Sequence, residues 1–233
     1  MPRSRAVRRV RTAGRTGGRT TPLPRRRIRL DNDQRRAQLL ALGKQAFSER
    51  AYDEVSIDDL AQVAKISKGL LYHYFPTKRD LYVAGLREIA GELVDAVTRV
   101  PEDLAPIDRV RTSIGAYLDH VTRHSRAFVA LMRGGIGSDP EVAAVIESVR
   151  TQLFDKFLAG SPFASLLAGD ARFEIAVRGW IGFVEAASID WCANPRLSSM
   201  ELRELLTQVL AEIMRVVAPP GVAPPGVAPP EPR

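Results

Sequence analysis

The sequence predicts an all-α protein, with an N-terminal helix-turn-helix headpiece of three helices and a larger C-terminal helical domain. Three observations predict it. Residues 56–81 read SIDDLAQVAKISKGLLYHYFPTKRDL, which is two short helices about a tight corner and the start of a third. Apolar residues recur at helical spacing in several later stretches, such as Leu81–Leu86–Ile89–Leu93–Val97 and Leu202–Leu205–Leu206–Val209–Leu210–Ile213. The stretch Arg172 to Ala193 is apolar nearly all round, as a helix buried on more than one side would be.

Composition divides the chain before any helix is placed. Residues 1–30 contain eleven Arg and no acid, whereas the other 203 residues carry 23 basic and 27 acidic side chains. The basic character therefore belongs to a breaker-rich arm, expected to be disordered when free. Arg25, Arg26, Arg27 and Arg29 adjoin the headpiece and can neutralise phosphates or enter a minor groove. The expected organisation is an arm over 1–30, a headpiece over 31–77, a helical domain over 78–217 and a disordered Pro-rich tail over 218–233.

Helix 1 is expected from Asn32 to about Arg50, facing Leu39, Leu40, Ala46 and Phe47 to a small core. In the second helix Ser56 is an N-cap and Asp58 and Asp59 suit the positive end of the helix dipole. Ile57, Leu60, Ala61 and Ala64 form its apolar face. After the corner Lys65-Ile66, Ser67 caps the third helix, Lys68 to Phe75, which Pro76 ends. Thr77 and Asp80 then open helix 4, expected to reach about Val100 and bridge headpiece and body. Further helices are expected over Ile107–His124, Ser125–Met132, Pro140–Leu158, Arg172–Ala193 and Leu197–Val217. The glycine-rich stretch 133–137 lacks the strand and the Lys-Ser/Thr of a nucleotide-binding loop and reads as a connector.

The chemistry of the third helix is that of a recognition helix, which docks in the major groove of DNA. Lys68, Tyr72 and His73 can reach phosphates and base edges. Ser67 with the helix N-terminus can hold a phosphate, and Lys78 can grip the backbone on the flank. Other chemistries are poorly served. No Ser-His-Asp arrangement, paired catalytic carboxylates or cofactor loop stands out, so neither an enzyme nor a cofactor is expected. His120 and His124 share a helix face but lack a third metal ligand, so a surface or pocket role is expected rather than a metal site. The single Cys192 suits a reducing compartment and reads as a buried small hydrophobe. No apolar window is long enough to span a membrane and no signal-peptide core is present, so a cytoplasmic protein without membrane contact is expected.

Phe47, Tyr52, Ile57, Ala61, Ser67-Lys68-Gly69, Leu71-Tyr72, Tyr74-Phe75 and Lys78 together resemble the headpiece of the TetR family of bacterial transcriptional regulators. The likeness covers about Gln34 to Tyr82. This chain departs from the pattern at Ala51 and Lys65, turn positions where the family usually has Gly and where positive φ is expected. It departs again at Leu70, where a small or hydroxylated residue is usual, and this bears on which bases are read. The resemblance adds Ser56, Lys65, Gly69 and Leu70 to the DNA-facing candidates. It also implies an inducer cavity between helices 4 to 8, with Leu86, Ile89, Tyr117, Val121, Met132, Phe154, Trp180 and Phe183 as candidate lining. The expected partners are a palindromic double-stranded DNA operator, a small lipophilic effector such as a fatty acyl compound, and a second copy through the last two helices. The expected function is a ligand-released repressor. The alternatives are an activator, or a helical small-molecule binder whose DNA binding is not ligand-gated.

Overall fold

The computed structural model describes residues 32–160 and 169–217, and every described regular element is helical. Its helices are α1 (Asn32–Glu49), α2 (Ile57–Ala64), α3 (Lys68–Tyr74), α4 (Lys78–Thr98), α5 (Pro106–Arg123), α6 (Ser125–Arg133), α7 (Pro140–Ala159), α8 (Ala171–Ala193) and α9 (Ser199–Val217). Arg25, Arg26, Arg27, Arg29 and the Pro-rich tail lie outside the described residues.

Local chemistry sets most boundaries. Ser56 Oγ accepts from the Asp59 amide at 3.3 Å, and Ser67 Oγ accepts from the Leu70 amide at 3.2 Å. Thr77 and Asp80 form a reciprocal box, in which Asp80 Oδ2 accepts from the Thr77 amide at 2.9 Å and Thr77 Oγ1 accepts from the Asp80 amide at 3.0 Å. Asp139 caps α7, and Pro106 and Pro140 occupy first-turn positions of α5 and α7, where a missing N–H costs nothing. A box formed by Ser198 and Glu201 starts α9 two residues later than expected.

Of the two turns where positive φ is expected, one adopts it and one does not. Lys65 has φ 56° and ψ 42°, the left-handed conformation that this side chain strains to adopt by about 1 kcal/mol. Ala51, in contrast, is extended at φ −60° and ψ 153° and opens a 3-10 turn over Tyr52–Glu54. Glu54 reaches back to the Ala51 amide at 3.0 Å, so the corner is closed by a side chain and needs no positive φ. The connector at 133–137 also contains a short 3-10 turn, Gly135–Ser138.

Three clusters of buried side chains organise the packing. The first joins Leu39, Phe47, Leu60, Leu71, Phe75, Leu81 and Tyr82 of the headpiece and α4 to Val142 and Val145 of α7. Here α1 crosses α4 closely, because a Cβ on Gly43 would meet Leu81 Cδ1 at 2.7 Å. The second cluster, from α5, α8 and α9, includes Leu118, Val121, Val184 and Leu206, and the third includes Phe154, Phe173, Val177 and Val217. Helix α4 is therefore built into the headpiece at one end and packs on α5 and α7 along the rest of its length.

Candidate nucleic-acid interface and ligand cavity

The recognition helix α3 is anchored by one buried side chain, Leu71, and presents Lys68, Gly69, Leu70, Tyr72 and His73 outward. Lys68 Nζ lies 3.0 Å from Asp58 Oδ2 of α2, and this hydrogen bond raises the ammonium above its usual pKa. Leu70 and Tyr72 are 38% and 37% exposed. Ser56 and Lys65 sit at the start and end of α2. Lys78 Nζ stands 4.4 Å over the Tyr52 ring, a cation–π contact that holds it at the first turn of α4. Tyr74 Oη donates to Asn32 Oδ1 at 2.7 Å and ties α3 to the start of α1.

The helical body is hollow. A cavity of about 520 Å³ is lined along α4 by Tyr82, Leu86, Ile89, Leu93, Val97 and Thr98, and by apolar side chains of α5, α6, α7, α8 and α9. At about 1.5 Å per residue, the α4 lining from Tyr82 to Thr98 extends some 24 Å, so the cavity is long rather than round. Of the residues expected to line it, Leu86, Ile89, Tyr117, Val121, Met132 and Trp180 do. Phe154 and Phe183 do not. Phe154 is buried against Phe173 with ring centroids 6.1 Å apart, and Phe183 is 40% exposed on the outer side of α8. Their chain neighbours Leu153 and Val184 line the cavity instead, one step around each helix.

Polar groups in the cavity are few and specific. Tyr117 Oη is buried with the Ser188 hydroxyl as its polar neighbour, and that hydroxyl in turn donates to the Val184 carbonyl at 2.7 Å. Burial holds the Tyr117 phenol well above its usual pKa. His120 is 9% exposed, and burial, with the nearby His124 and Arg123, pushes its pKa down to about 4. Its ring centroid is 5.0 Å from that of His124, and both histidines line the cavity. Among the described residues no group of three or more His, Cys, Asp and Glu side chains can hold a metal ion. Cys192 is half-buried beside the second cluster, and burial raises its thiol pKa.

Arg109 and Lys156, which composition and spacing did not single out, line the end of the cavity away from the headpiece. Arg109 Nη1 donates to the Gly160 carbonyl at 3.4 Å, and neither cation forms an ion pair among the described residues. No short-range signal marks them, since the start of α5 and the end of α7 meet only in the fold.

Helices α8 and α9 keep an outward apolar face. Ile175, Gly179, Gly182, Phe183 and Ala186 are exposed on one side of α8, with Met200, Leu205 and Val216 exposed on α9. No helix among the described residues is long and apolar enough to cross a membrane.

A capped recognition helix set in three helices, and joined by one long helix to a hollow helical body, is the architecture of a helix-turn-helix transcriptional regulator. Comparison with known proteins gives the same answer at both ends of the chain. Residues 39–84 match the model for bacterial regulatory proteins of the tetR family, and residues 106–215 match the Tetracyclin repressor-like C-terminal domain. A tetR-family transcriptional regulator from Streptomyces coelicolor is 34% identical and superposes with a TM-score of 0.72, covering 80% of this chain and 83% of that one. The transcriptional activator FasR of Mycolicibacterium smegmatis is 31% identical over 124 residues, 53% of this chain and 57% of FasR. The chain spans about half the length of the curated relatives it matches, with 57%, 44% and 49% covered in three of them. FadR from Bacillus subtilis, solved in complex with stearoyl-CoA, shares the fold at 13% identity and a TM-score of 0.59, over 75% of this chain and 96% of FadR. The chain belongs to the TetR family of bacterial transcriptional regulators.

Proposed function

We propose that this regulator is a repressor that binds a palindromic operator as a homodimer and leaves it when a lipophilic, anionic small molecule fills the body. The observation that carries this reading is the cavity of about 520 Å³, whose α4 wall begins four residues after the first residue of that helix, Lys78. An occupant that shifts α4 re-aims the recognition helix. A dimer whose two recognition helices no longer sit about 34–36 Å apart mismatches successive major grooves, so the ligand selects a state of low DNA affinity.

The apolar lining favours an acyl chain, and Arg109 and Lys156, which form no ion pair among the described residues, favour an anionic head at the far end. Tyr117 Oη supplies one donor part-way along. The exposed apolar stripe on α8 and α9 favours a two-fold interface between copies, with Gly179 and Gly182 allowing close approach. In this reading 31–77 is the DNA-binding unit and 78–217 the ligand-binding and dimerisation unit, with the basic arm before residue 31 adding phosphate contacts. Ser56, Lys65, Ser67, Lys68, Gly69, Leu70, Tyr72, His73 and Lys78 are its DNA-facing residues.

A second reading, activation, is favoured by the likeness to FasR, described as an activator. The test is a footprint on DNA upstream of the protein's own gene, with and without long-chain fatty acids and acyl-CoA. Protection of a palindrome that these ligands abolish supports the repressor. Protection that they strengthen supports the activator, and protection indifferent to every lipophilic ligand removes the ligand-gated mechanism.

A further inference from the structure

The recognition helix carries an apolar side chain at a place where hydrogen-bonding groups would ordinarily be spent. Leu70 is the third residue of α3, and its amide is held by Ser67 from both sides, donating to the Ser67 carbonyl at 3.1 Å and to Ser67 Oγ at 3.2 Å. The backbone at Leu70 is thus fixed while its side chain is 38% exposed. The core contact of this turn is made by Leu71, at 1% exposure, so Leu70 is not needed to hold the helix down. Gly69 beside it leaves open space, since an added Cβ there would meet nothing nearer than Ser67 Oγ at 4.0 Å.

A leucine cannot donate or accept, and pressing it against a phosphate would strip water from the charge without return. The floor of the major groove is otherwise made of donors and acceptors. The one apolar group displayed there is the C5-methyl of thymine. Lys68 is turned toward Asp58, and His73, three residues on, shares the exposed side of α3 with Leu70, which is the aliphatic member of that surface.

We infer that Leu70 is a specificity-determining residue that reads the 5-methyl group of a thymine at one symmetry-related position in each operator half-site. The inference rests on the operator-binding reading above, and it goes beyond that reading by naming a chemical group on the DNA. Leu70→Ala removes the reader with little effect on the fold, because the side chain is outside the core. Leu70→Met preserves an aliphatic contact of similar size.

The test begins by selecting duplexes from a randomised pool with the full-length chain. Selected sites are then resynthesised with deoxyuridine in place of each thymine in turn, which deletes only the methyl group. The wild-type chain is expected to bind the uracil duplex about fourfold more weakly for the methyl in one half-site and about fifteenfold when both are replaced, scaling from the transfer of one apolar carbon. Leu70→Ala should bind thymine and uracil duplexes alike, and Leu70→Met should retain the difference. The inference is overturned if the wild-type chain binds both duplexes equally at every position, or if Leu70→Ala keeps the full difference. A pool from which no duplex is enriched overturns the operator-binding reading itself, and a duplex bound tightly without methyl dependence overturns only the assignment to Leu70.

Discussion

Arg79 grips Asp139 through two parallel hydrogen bonds, Nε to Oδ2 at 2.5 Å and Nη2 to Oδ1 at 2.7 Å. The pair joins the second residue of α4 to the N-cap of α7, and Glu141 extends it to Arg79 Nη1 at 3.0 Å and to Arg87 at 3.4 Å. Bidentate geometry makes this joint directional as well as cohesive, and the Arg79 contact holds the Asp139 carboxyl below its usual pKa. Helices α4 and α7 both line the cavity, so the pair sits where movement of one wall meets the start of the other.

Asp139→Asn keeps a capping acceptor and removes the charge. It is expected to leave ligand affinity nearly intact while reducing the effect of ligand on operator affinity, at a stability cost of about 1 kcal/mol. Operator titrations with and without a long-chain acyl ligand measure this, and a variant with the full ligand response would rule out the joint as a relay.

Lys68 pairs with Asp58 at 3.0 Å, and in the proposed operator complex a phosphate would compete for it. Lys68→Ala should weaken operator binding by about 1–3 kcal/mol without changing the melting temperature. Asp58→Asn should strengthen binding to unrelated duplexes more than to the selected site, because it frees a non-selective cation. Competition titrations at two salt concentrations separate these outcomes.

Tyr117→Phe deletes a buried hydroxyl whose one polar neighbour, Ser188, already donates to the Val184 carbonyl. The ligand-free variant is expected to be as stable as the parent or up to about 1 kcal/mol more stable. Ligands that accept a hydrogen bond should bind it more weakly. A clear loss of ligand-free stability by chemical denaturation would show that the hydroxyl is satisfied after all.

His120 has its pKa lowered to about 4 from an ordinary 6.5, so as pH falls the unfolded chain takes up this proton first. Its contribution to stability is full above about pH 6.5 and is lost progressively between there and about pH 4, by up to about 3 kcal/mol. The groups that bear on it are His124, Arg123 and Glu92. His120→Phe should flatten this part of the stability–pH curve.

Phe183→Glu places a charge in the exposed apolar face of α8. The expected product is a folded monomer by sedimentation, with operator binding reduced to that of a single half-site. A dimer of normal affinity would move the interface elsewhere.

Local chemistry made the headpiece readable in the sequence, since Ser56, Ser67 and Thr77 each cap a helix within three residues of themselves. The body helices were readable from their period alone, but their rotation was not. Phe154 and Leu153 are adjacent in sequence, yet only Leu153 faces the cavity, because successive helical residues point about 100° apart. Size and aromaticity favoured Phe154 and Phe183, whereas the neighbours of each helix decided. The corner at Ala51 was misread for a similar reason. Glu54 closes it, and Arg126, 72 residues onward, pairs with that carboxylate and helps hold it below its usual pKa.

A body with a hollow of about 520 Å³ through it lacks the interior contacts that a solid bundle of the same helices would have. Any molecule that fills the hollow adds RT ln(1 + [L]/Kd) to the folding equilibrium, about 2.7 kcal/mol at a hundredfold excess over Kd. In the ligand-gated reading, an occupant would act on survival as well as on shape. Where unfolded chains are degraded, such a gain lengthens the lifetime of the protein several-fold. The number of copies in the cell would then rise with the very molecule that the cavity admits, giving the filled state a memory that outlasts each binding event.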